Sequence, residues 1–99
     1  SKTLDFNQIE TIKNEMTGQG LNKEYARFVE LLPHLTDDHK VKVREYLIEA
    51  RENALNVLTS RERNQWFAKY RGRANNYLSK QGYDLRKATE ILEKKKLAN

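Results

Sequence analysis

The chain has 99 residues, 37% of them hydrophobic and 33% charged, with a formal net charge of +5. That length fits one domain burying roughly two-thirds of the surface its unfolded chain exposes, and Trp66, three Phe and five Tyr supply bulky core material. The absence of Cys excludes a disulfide framework and a thiolate metal site, and no apolar run approaches the roughly 20 residues that span a bilayer. The charge is uneven: residues 1–58 hold eight Lys/Arg against ten Asp/Glu, and residues 59–99 hold eleven against four. Such a basic C-terminal part suits anions, nucleic acid or an acidic partner.

Taken in order, Leu4, Phe6, Ile9, Ile12 and Met16 form a helical stripe. Asp5 with Gln8 makes a capping box in its general form, so the first helix is expected from about Asp5 to Met16. Thr17-Gly18-Gln19-Gly20 should end it, because two glycines within three residues favour a turn. Glu24 to Leu32 reads as the second helix, with Tyr25, Phe28, Val29 and Leu32 on one face and Pro33 as its stop. Thr36, Asp37 and Asp38 announce a long third helix, since Thr36 can cap and the acids favour the positive end of the dipole. Val43, Leu47, Ala50, Ala54 and Leu58 carry its stripe to about Val57.

Thr59 and Glu62 form a second capping pattern for a fourth helix from about Ser60 to Gln81, whose face is rich in aromatic residues. Gly82 suits a left-handed cap, and Asp84 can start a fifth helix with the stripe Leu85, Ala88, Ile91 and Leu92. No alternating segment is long enough for a strand. The expected fold is all-α, a compact bundle or orthogonal array of about five helices forming a single domain over residues 1–99.

No Gly-rich phosphate loop, nucleophile elbow or zinc-protease motif occurs, so neither catalysis nor a cofactor is expected. His34 and His39, five positions apart with Asp37 and Asp38 between them, lack a defined metal spacing and read as local structure. The stretch Trp66 to Leu78 carries the densest chemistry. Aromatics, cations and amides alternate there on one helix, with Lys69, Arg73 and Asn76 in an i, i+4, i+7 row. Ring faces of this kind stack on a sugar or a base, while Asn and Arg donors bond hydroxyls or phosphates. The plainer account is an aromatic core face beside a solvated basic one. Gly72 would let another backbone or a ligand approach.

The segment Asn64 to Leu85, NQWFAKYRGRANNYLSKQGYDL, resembles the C-terminal signature of an uncharacterised family of secreted bacterial proteins described as sugar-binding. Leu31 to Thr36 and Tyr46 to Glu52 are similar to the Leu-Pro, Leu-Thr and Glu-Ala-Arg region of that family, and Ile9 to Met16 to the helix before it. The chain departs from the pattern at Gly18 to Asn22 and at Asn56-Val57-Leu58. The resemblance implies the C-terminal part of a longer secreted protein, a periplasmic or extracellular location and a carbohydrate context. It supplies no catalytic residue. The candidate ligand contacts are Trp66, Lys69, Tyr70, Arg73, Asn75, Asn76 and Tyr77, with Arg51 facing them from the preceding helix.

Three roles follow. The first is a non-catalytic carbohydrate-binding or accessory domain with an oligosaccharide as partner. The second is a basic helical nucleic-acid-binding module, set behind the first because no helix-turn-helix, homeodomain or RNA-recognition signature occurs. The third is a structural interaction domain whose exposed helix face packs on a preceding region or on a second copy of the chain.

Overall fold

A computed structural model describes residues 4–98, which form five helices and, among the described residues, no strand. They are α1 (Phe6–Met16), α2 (Gly20–Leu31), α3 (Asp37–Ala54), α4 (Ser60–Lys80) and α5 (Leu85–Ala98). The all-α bundle read from periodicity is the observed class.

Local chemistry sets most of the helix ends. The Asp5 carboxylate accepts the Gln8 amide at 2.7 Å and the Gln8 side chain accepts the Asp5 amide at 2.9 Å, so the capping box satisfies two amides that the helix leaves unpaired. The Thr36 hydroxyl accepts from the His39 amide, Thr59 from the Glu62 amide and Asp84 from the Lys87 amide. At the end of α4, Gly82 sits at φ 98°. The Tyr83 amide there donates to the Leu78 carbonyl and the Gly82 amide to that of Ser79, the double closure of a Schellman ending.

Two boundaries differ from the periodicity. The second helix begins at Gly20 rather than Glu24, because Gly18 and Gln19, both left-handed at φ 67° and 61°, reverse the chain in two residues. Gly20 is itself helical, and a Cβ there would lie 2.5 Å from the Phe67 ring. That glycine therefore serves close packing rather than the turn. α3 stops at Ala54, and Leu58, counted in its stripe, is 95% exposed in the connection to α4.

The core is built on an antiparallel hairpin of α3 and α4. Val43, Leu47, Ala50 and Ala54 of α3 and Phe67, Tyr70, Ala74 and Leu78 of α4 join Leu21, Phe28 and Leu31 of α2 in one buried cluster. Spacings of three and four along each helix place these residues on single faces. An ion pair from Arg71 to Glu24 ties α4 to α2, and α5 packs on α2 and α4 through half-buried Leu85, Ala88 and Leu92.

α1 breaks the pattern. None of its residues is buried, and its apolar stripe faces solvent, with Phe6 74% and Met16 61% exposed. It docks instead through Glu10, Lys13 and Asn14, which meet Arg51 and Glu52 of α3.

Candidate functional site

Residues 66, 70, 73 and 77 recur at spacings of four, three and four, which places them on one stripe of α4 at the border of its core face. Antiparallel pairing brings α3 residues 53, 46, 42 and 39 alongside in reverse order, so the α3–α4 seam carries a band of rings and cations. Trp66 and Tyr70 lie 6.4 Å apart between ring centroids. The Lys69 ammonium sits 5.1 Å over the Trp66 ring and the Arg73 guanidinium 4.5 Å over that of Tyr70. Further along, Tyr46 and Tyr77 are 6.1 Å apart, with the Lys42 ammonium 5.0 Å over the Tyr46 ring. Cations over ring faces are attracted by the ring quadrupole, and the arrangement holds long side chains in place.

The band ends at His39, which meets Tyr77 and Tyr83 edge to face at 5.9 and 5.3 Å. Its Nδ1 lies 2.7 Å from the Tyr83 hydroxyl, which also accepts the Thr36 amide at 3.3 Å. The phenol donates to the imidazole or accepts from it according to the His39 tautomer. His39 thus joins the start of α3 to the turn after α4. His34 is exposed at a separate place, beside a mostly apolar cleft of about 340 Å³ between the α2–α3 connection and α5. Among the described residues no group of three or more His, Asp or Glu could hold a metal.

Trp66 and Tyr77 are half-buried, Tyr70 is buried, and Lys69, Arg73 and Asn76 are exposed. Six of the eight sequence candidates therefore share the band or its solvent border. Among the described residues Lys69 and Arg73 have no carboxylate in ion-pair range. Asn75, two positions from both Arg73 and Tyr77, lies on the other side of α4. Nothing approaches within 4 Å of the place where Gly72 would carry a Cβ. Lys42, Tyr46, His39 and Tyr83 complete the band but were absent from the sequence candidates. Their only signal is the spacing of 39, 42 and 46 along α3, which gains meaning once the hairpin register is known.

Arg51 points away from the band, toward α1. Its side chain is 2% exposed. Nη1 and Nη2 donate to the two Glu10 oxygens at 2.9 and 3.0 Å, Nη1 also to Asn14 at 3.1 Å, and Nε to Glu52 at 3.2 Å. Lys13 reaches the other Glu52 oxygen at 2.9 Å. The hydrogen bonds from Arg51 hold the Glu10 carboxyl below its usual pKa against the cost of desolvation. Glu52 is lowered too, first by its bond from Lys13. Burial pulls the Arg51 pKa down, but the hydrogen bonds and charges of Glu10 and Glu52 outweigh it, so the guanidinium is held more tightly protonated than usual. All three guanidinium nitrogens are engaged, and Arg51 works as the clamp that seats α1.

A family profile described as "Protein of unknown function (DUF3826)" matches residues 1–98, and the chain belongs to that family. No curated protein matches the chain. Among the described residues no helix is long and apolar enough to cross a membrane.

Proposed function

From membership of a family without an assigned activity, we propose that this chain is a non-catalytic carbohydrate-binding domain and that the α3–α4 band is its ligand surface. The observation that carries the reading is the combination, along one seam, of Trp66, Tyr77 and Tyr46 rings with the cations Lys69, Arg73 and Lys42 beside them. A pyranose ring offers C–H groups to an aromatic face and hydroxyls to flanking donors, and the band supplies both partners. Affinity is weak on this reading, because each sugar hydroxyl exchanges a water bond for a protein bond at small net gain. The periplasmic or extracellular location that accompanies it is supported by the resemblance of Asn64 to Leu85 to secreted proteins.

The test is titration of Trp66 emission with neutral and acidic oligosaccharides. Saturable change is expected, weakened about tenfold by Arg73→Ala, the loss of a charged hydrogen-bond partner. A flat signal with every glycan, from protein whose helicity is intact, overturns the reading.

One observation favours a second role, an interaction domain: α1 turns Phe6, Ile9, Ile12 and Met16 to solvent as a contiguous apolar stripe. Sedimentation at rising concentration tests self-association. A second copy as partner predicts a shift that Ile12→Ser abolishes, and a strict monomer excludes that partner.

A further inference from the structure

On the other side of α4 from the band, a cleft of about 390 Å³ with a mixed polar and apolar lining opens between the α1–α2 turn and the first half of α4. Lys23 comes from α2, Arg63 and Arg71 from successive parts of α4, and Ser60 and Asn64 add uncharged polar groups to the same wall. Glu24 is the one carboxylate in the lining, and it is engaged by Arg71. Three cations and one carboxylate leave the cleft with a net charge of +2. Among the described residues neither Lys23 nor Arg63 has a carboxylate in ion-pair range. The Arg63 guanidinium is steadied by a 2.8 Å hydrogen bond to the Ser60 hydroxyl, and the Arg71 guanidinium by Glu24.

Like charges gathered in a concave site repel one another, and that repulsion is relieved by an anion. The donors also approach from two helices and from separate turns of α4, hence from more than one plane. A planar carboxylate is met by one coplanar fork, whereas a tetrahedral oxyanion presents oxygens in several directions. Gly20 and Phe67 both line the cleft, and a side chain at position 20 would run into the Phe67 ring.

We propose that this cleft binds a doubly charged tetrahedral oxyanion, the group carried by a phosphate or sulfate monoester. The site shares no residue with the α3–α4 band and stands or falls independently of it. Lys23 and Arg63 supply the free charge, and Arg71, already tied to Glu24, lines the wall.

Calorimetric titration of the whole chain at low ionic strength, with inorganic phosphate and then inorganic sulfate, tests this. Saturable binding of one ion per chain is expected. Phosphate should bind more tightly above its second ionisation than below it, while sulfate should show no such step. A preference for one ion separates the two ester classes. Lys23→Gln and Arg63→Gln should each weaken binding about tenfold, the loss of one charge-assisted contact. Lys94→Gln, which removes the same charge from exposed α5, should change it by less than about twofold. The proposal is overturned if neither ion saturates, or if Lys94→Gln costs as much as Arg63→Gln, since binding would then follow net charge alone.

Discussion

The α3–α4 hairpin and α1 bury opposite kinds of surface. In the hairpin the apolar stripe faces inward, and Leu47, Ala50, Ala74 and Leu78 are fully buried. In α1 the polar side faces inward, held by the Arg51 clamp, and Phe6, Ile9, Ile12 and Met16 face out. Both helices are amphipathic, so amphipathicity by itself does not say which side docks. The difference lies in what the neighbouring surface offers. α2 presents Leu21 and Phe28 to the hairpin, whereas the surface under α1 presents a buried guanidinium, and an unpaired charge there would cost far more than an exposed apolar side chain.

The comparison can be broken most forcefully at the hairpin. Leu47→Ala should destabilise the whole domain by about 2–5 kcal/mol, the usual cost of a core cavity, measured as a lower urea midpoint with a single transition. Arg51→Met should cost less, about 1–3 kcal/mol, because the freed Glu10 and Glu52 can turn to water. Its signature is local: hydrogen exchange of α1 amides accelerates while amides of α3 and α4 keep most of their protection. Equal acceleration everywhere would mean that α1 is an integral part of the core.

Acid sharpens the same contrast. Glu10 and Glu52 are both more acidic in the folded chain than their ordinary values. Their contribution is therefore complete above the usual carboxylate range, about pH 4, and is lost as pH falls through the lowered folded values. Arg51 stays charged throughout and adds no step. α1 protection factors, with the intrinsic pH dependence of amide exchange divided out, should fall under acid in the native chain and show a flattened pH response in Arg51→Met. At the small end, Phe6→Ser should shift monomer stability by no more than about 0.5 kcal/mol, and a large loss by chemical denaturation would show that the stripe is covered in solution.

Features with local causes could be read before the structure was known. Asp5 with Gln8, Thr36, Thr59 and Gly82 act within three to five residues of themselves, so their helix ends followed from spacing. The start of α2 did not, because Gly20 is required by a Phe67 ring 47 positions away. The candidate surface divides in the same way. Its α4 half, with Trp66, Lys69, Tyr70, Arg73 and Tyr77, lies on one helix and shows in the spacing. Its α3 half, with Lys42, Tyr46 and His39, joins only through the antiparallel register of the hairpin.

Arg51 marks the boundary between the two kinds of knowledge. The sequence by itself determined an all-α chain, its caps, its amphipathic stripes and the basic bias of its last forty residues, because these depend on neighbours within a turn or two. Only the tertiary structure decided that Arg51 turns to Glu10 rather than to α4, that α1 sits with its apolar side out, and that Lys23, Arg63 and Arg71 share one cleft. Those outcomes depend on which distant groups meet, and the deciding energy is the desolvation of charges, which no local pattern of residues records.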